Sequence, residues 1–135
     1  MFHTHGEHKL QLDGNILTVE ARGPFNIEQI DHYRNALLSE LENINQPWGQ
    51  LNELHQDCLF TPQGEEEMYS TIKLRKDTGI CAVAIYFIDG QPNSIAEQQL
   101  RRMYAVHNIS YQCFKQKEQA VVWLKEQISK VQLKH

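Results

Sequence analysis

Ile80-Cys81-Ala82-Val83-Ala84-Ile85-Tyr86-Phe87-Ile88 is a run of nine apolar or aromatic residues with neither a charge nor an alternation. A strand with one wet face alternates apolar and polar side chains, whereas a strand covered on both faces is apolar throughout. Nine residues fall well short of the roughly 20 that cross a bilayer. Asp89-Gly90-Gln91-Pro92-Asn93 breaks the run, and Ser94-Ile95-Ala96-Glu97 predicts a helix opened by a capping box. The run is therefore expected to be the central strand of a helix-covered, largely parallel sheet.

Working outward, Leu10 and Leu12 alternate with polar residues, Asp13-Gly14-Asn15 is a tight-turn signal, and Leu17, Val19 and Ala21 alternate again. That pattern predicts an N-terminal hairpin. Phe25-Asn26-Ile27-Glu28-Gln29-Ile30 starts a helix with Asn26 as N-cap, Gln29 at the reciprocal capping position and Phe25 placed to staple onto Ile30. Its stripe runs Ile27, Ile30, Arg34 or Tyr33, Leu37, Leu38, Leu41, Ile44, and Pro47 ends it. Trp48 to Leu54 predicts a third strand, and its Gln50, Asn52 and Glu53 place it at or near an edge. Thr61-Pro62 opens a second helix to about Lys76, with only a thin apolar stripe of Met68, Tyr69 and Ile72. A third helix follows over Ile95 to His107. A short strand, Ile109 to Phe114, and a closing helix from about Lys115 to Val131 complete the chain. Nothing divides the 135 residues, so residues 1–135 read as a single domain of α/β class, with residues 1–7 as a flexible N-terminal tail. Its sheet is mixed and five-stranded, an N-terminal hairpin plus parallel βα units, with four helices and right-handed crossovers.

Composition narrows the functional classes. Hydrophobic content of 41% and charged content of 22% describe an ordinary globule. A net charge of -4 argues against general nucleic-acid or anionic-membrane binding, which need a basic face. No stretch reads as a signal peptide or membrane span, so we expect a cytoplasmic protein without integral membrane association. Cys58, Cys81 and Cys113 are odd in number and widely spaced, as reduced thiols are.

The hairpin, the apolar strand and the closing Glu118-Gln119-Ala120-Val121-Val122-Trp123-Leu124 segment resemble the SpoIIAA-like family. These are small bacterial proteins related in fold to the STAS domains of anti-sigma-factor antagonists and to lipid-binding Sec14-type domains. The resemblance runs from about Lys9 to Ile128 and implies a mixed five-stranded sheet, four helices and no established catalysis. STAS antagonists carry Asp-Ser-x-Gly, with a phosphorylated serine, at the start of the helix after the third strand. Thr61-Pro62-Gln63-Gly64 stands there in this chain, with Pro62 at the phosphoacceptor position and Glu65 to Glu67 set to repel a phosphate. The resemblance thus points to a branch without the switch.

Chemistry-bearing residues are few. His3, His5 and His8 have imidazoles spaced for a transition metal, but ligands on a tail lack a supporting shell, and we assign no metal and no cofactor. His55, Asp57 and Cys58 follow the third strand, where open α/β sheets bind ligands. A Cys–His pair there could form a thiolate nucleophile, but no oxyanion-hole motif accompanies it, and a polar loop with a partly buried thiol is the better reading. Asp89 to Ser94 is explained by turn and capping chemistry, and no phosphate-binding glycine pattern occurs. Arg101 and Arg102 suit an anionic group or the solvated face of a helix.

The aromatic and thioether set is the strongest candidate. Trp48, Met68, Tyr69, Ile72, Tyr86, Met103 and Tyr104, with Arg101 beside them, are expected to line a pocket between the second and third helices and the sheet. Tyr33 and Phe87 share its character, and core packing is the ordinary fate of such residues. The expected protein is a non-enzymatic binding or regulatory module taking a lipophilic small molecule. The alternative is a protein-interaction domain that holds a regulatory protein as anti-sigma-factor antagonists do, with homodimerisation through the hairpin edge or the second helix.

Overall fold

The computed structural model describes residues 7–89 and 93–133. His3 and His5 lie outside them, as do Gly90, Gln91 and Pro92. The elements are β1 (Glu7–Asp13), β2 (Ile16–Arg22), α1 (Ile27–Leu41), β3 (Trp48–Leu54), α2 (Pro62–Asp77), β4 (Ile80–Phe87), α3 (Ser94–Val106), β5 (Ser110–Phe114) and α4 (Lys117–Leu133). The strands form one sheet in the order β1-β2-β3-β4-β5, with the hairpin antiparallel and every later pair parallel. Glu7, read as tail, is the first residue of β1.

Strands that are neighbours in both sequence and space need crossovers of one hand, and right-handed crossovers put all their helices on one face. α1, α2 and α3 accordingly form a layer on that face, with α2 in its middle. α4 follows the last strand rather than joining two, and it covers β3, β4 and β5 from the other side. Alternate residues divide the core: Leu17, Val19, Leu54, Val83 and Ile85 meet the three-helix layer, while Leu51, Ala82 and Ala84 meet Ala120 and Leu124 of α4. Gly49 makes room for α4, since a Cβ there would stand 3.0 Å from Leu124 and 3.3 Å from Ile128.

β4 is the doubly covered strand its composition predicts, but the middle of the sheet is β3. The polar Gln50, Asn52 and Glu53 predict an edge position for β3. Its residues are instead buried, apart from a half-buried Glu53. Gln50 and Asn52 are tolerated there because they bond to one another and to three buried side chains of the helix layer.

Local signals explain the helix starts. Gln29 N–H donates to Asn26 Oδ1 at 3.1 Å and Asn26 N–H to Gln29 Oε1 at 3.4 Å, completing the α1 capping box. Two residues of the α1 stripe, Ile27 and Leu38, face outward. Gly64 N–H donates to Thr61 Oγ1 at 3.0 Å, with Pro62 opening α2. α3 differs from expectation by one residue: the cap is Asn93, whose Oδ1 accepts from Ile95 and Ala96 N–H, and Ser94 is the first helical residue.

Candidate functional site

α2 is thin in apolar residues because part of its inner face is polar. Met68, Thr71, Ile72 and Arg75 are buried together at helical spacing, on the helix at the centre of the layer. Arg75 is fully buried, at 0% exposure. Its Nε donates to Thr71 O at 3.2 Å and its Nη2 to Thr71 Oγ1 at 3.1 Å. Nη1 donates to Gln50 Oε1 at 2.9 Å and to the Tyr104 hydroxyl at 3.4 Å. The guanidinium also lies 5.9 Å from the Tyr33 ring centroid and 5.7 Å from that of Tyr104, within cation–π range.

The cluster continues into β3. Gln50 Nε2 donates to the Tyr33 hydroxyl at 3.2 Å and to Asn52 Oδ1 at 2.7 Å, and Asn52 Nδ2 donates to the Tyr104 hydroxyl at 3.2 Å. Four elements, α1, α2, α3 and β3, thus meet in one buried polar knot. Burial raises the Tyr33 phenol above its ordinary pKa, so it stays a neutral hydroxyl.

A cavity of about 30 Å³ adjoins the knot. Tyr33, Gln50 and Asn52 form its polar corner, and Val19, Ala21, Phe25, Ile30, Leu54, Phe60, Met68 and Leu100 supply apolar walls. His8 and Cys58 complete the lining, the His8 ring standing edge-on to Tyr33 at 5.5 Å. The volume is that of about one water and far below the roughly 300 Å³ at which drug-sized sites begin.

The residues singled out from the sequence are dispersed. Met68 lines this cavity. Tyr104 belongs to the knot, while Ile72 and Met103 are core. Trp48 is buried at the base of β3, its Nε1 donating to Thr78 O at 3.1 Å. Tyr69 is partly buried against His107, with ring centroids 6.0 Å apart. Tyr86 lies on the α4 face, where its hydroxyl donates to Glu53 Oε2. Arg101 is exposed beside an open hollow over β5. Sequence reading missed Arg75, Gln50, Asn52 and Thr71 as a group. Their signal was positional: Thr71 and Arg75 fall on the Met68–Ile72 face, and Gln50 and Asn52 alternate in phase with Trp48 and Leu54.

The loop after β3 is held by polar contacts, the first of them an ion pair. Arg22 Nε meets Asp57 Oδ2 at 3.1 Å, His55 Nε2 meets Glu20 Oε2 at 3.0 Å, and His55 Nδ1 lies 4.0 Å from Asp89. Cys58 faces away from this polar rim into the core at 1% exposure. Burial holds its thiol far above the ordinary range, with Asp57 adding to the shift, so Cys58 is not an activated nucleophile. Among the described residues no group of His, Cys, Asp and Glu could hold a metal ion, and no helix is long and apolar enough to cross a membrane.

No protein-family model matches the chain, and no curated protein matches it in sequence. Among solved structures, it superposes on an uncharacterised protein of the DUF3478 family with a SpoIIAA-like fold, from Shewanella loihica. The TM-score is 0.63 at 18% identity, and the match covers 89% of this chain and 94% of the other. A likeness at that identity establishes the fold.

Proposed function

We infer that this chain of SpoIIAA-like fold is a binding or regulatory module rather than an enzyme, and that it takes a lipophilic small molecule between α1, α2 and the sheet. One observation carries the reading. An apolar cavity closes on a corner of hydrogen-bonding groups, the composition of small-molecule sites in general. The closed cavity is too small for such a ligand, so binding requires α1 and α2 to part. α2 is suited to this, because its inner face is joined to the sheet and to α3 partly by the hydrogen bonds of Arg75 to Gln50 and Tyr104 rather than by apolar packing alone. Met68 then forms a wall of the opened pocket, with Ile72, Met103 and Tyr104 behind it. Tyr69, Trp48, Tyr86 and Arg101 stand away from this pocket, Tyr86 on the opposite face of the sheet. The free thiols accord with a cytoplasmic setting.

Native mass spectrometry of protein purified gently from its own host, against the denatured mass, tests this reading. An excess mass released on denaturation and extractable into organic solvent is the expected result. A clean apo mass, together with no change in melting temperature across a panel of lipophilic compounds, would move the assignment to protein–protein interaction.

A further inference from the structure

Among the described residues, Arg75 has no counter-ion. A guanidinium stays protonated, and none of the partners of this one is a carboxylate. Every Asp and Glu of the sequence falls among the described residues, and none pairs with it. Desolvating an ion without a partner carries a substantial penalty, and buried charges are ordinarily neutralised.

Because Arg75 only donates, it orients everything around it. Gln50 must turn Oε1 toward Nη1, so its amide nitrogen donates to Tyr33 and Asn52. Asn52 must then accept on Oδ1 and donate from Nδ2 to Tyr104. Both phenol oxygens are left as acceptors, and among the described residues neither phenol proton has an acceptor of its own. The knot is a cation surrounded by surplus donors. Its Tyr33, Gln50 and Asn52 members face the cavity.

Resting on the ligand reading above, we propose that the ligand is a carboxylate with an apolar body, its anionic group received by Tyr33 O–H and Asn52 N–H beside Arg75. The carboxylate stands one amide, that of Gln50, from the guanidinium or replaces that amide as its acceptor. In either position it supplies the charge the core lacks, and a low-dielectric interior screens the attraction little. The apolar body follows the walls contributed by β2, α1 and α2.

The test is calorimetric titration of the full chain at neutral pH with butyrate and octanoate, each against the alcohol of equal length. The expected result is at least tenfold tighter binding of an acid than of its alcohol. Tyr33→Phe should cut that preference severalfold. Gln50→Glu should abolish it, because the new carboxylate occupies the anion's place. The Gln50→Glu variant is expected to fold: Arg75, the Tyr33 hydroxyl and a reoriented Asn52 can all donate to the introduced side chain. Cooperative melting of both variants verifies folding. Equal binding of acid and alcohol would overturn the anionic assignment and leave the lipophilic reading standing. An undiminished preference in folded Gln50→Glu would overturn the placement at Arg75. Binding of neither acid nor alcohol would overturn both readings.

Discussion

Arg75 Nη1 donates to Gln50 Oε1 across 2.9 Å, joining the middle helix of one layer to the middle strand of the sheet. Both groups are buried and no carboxylate side chain assists, so the amide oxygen is the guanidinium's shortest contact outside its own helix. Gln50→Leu leaves the cation without that acceptor, and we expect a loss of about 2–4 kcal/mol in unfolding free energy. Arg75→Met in the Gln50→Leu background removes the stranded charge while filling similar space, and should recover part of the loss. Denaturant unfolding of the two single variants and the double variant measures the coupling. A double variant less stable than Gln50→Leu alone would show that the pair is not the source of the effect.

Features that depend on neighbours in sequence were legible, and those that depend on several elements meeting were not. The nine-residue apolar run, the Asn26–Gln29 box and the Thr61-Pro62 start each declare their state within a few residues, because capping and double burial are local or one-strand properties. The position of β3 was misread because polar side chains ordinarily seek water. Gln50 and Asn52 are buried only because Tyr33, Arg75 and Tyr104 arrive from three different helices to bond them. No stretch of chain contains that knot. The polar part of the α2 inner face was illegible for the same reason: Thr71 and Arg75 stand on core-facing positions, but their residue types argue for the outside until their partners are known.

Gly64 sits in the first turn of α2, where alanine ordinarily stabilises a helix by about 1 kcal/mol relative to glycine. In this chain a Cβ at residue 64 would stand 2.6 Å from the backbone oxygen of Phe25, which itself accepts from Thr61 N–H. The neighbour is backbone and cannot swing aside. Gly64→Ala should therefore destabilise, by about 1–3 kcal/mol as overpacking does. Thermal unfolding reads the sign, and a raised melting temperature would mean that the α2 start stands further from the β2–α1 junction.

Thiol chemistry should follow burial. Cys58 is enclosed, and burial raises all three thiols, that of Cys113 to about 12 with Glu97 adding to the shift. We expect slow alkylation of all three in the folded protein at pH 8, with Cys58 reacting only as fast as α1 and α2 part or the protein unfolds. Mass spectrometry after timed iodoacetamide exposure, with and without denaturant, separates the sites. Rapid native labelling of Cys58 would revive a thiol-dependent activity.

His8 gives the cavity a pH dependence. Burial lowers its pKa, the like charge of His32 lowers it further, and Glu7 opposes both. The unfolded chain has the ordinary value near 6.5. Below that pH the unfolded state therefore takes up protons that the folded state resists, and stability must fall as pH falls. The stability that His8 contributes is complete above about 6.5 and is lost on acidification toward its depressed folded pKa. His8→Gln, whose amide does not titrate, should flatten the part of the melting profile below about pH 6.5 that belongs to this group. His32→Gln should narrow the window by relieving the repulsion. Parallel profiles for the wild type and His8→Gln would remove His8 as the titrating group.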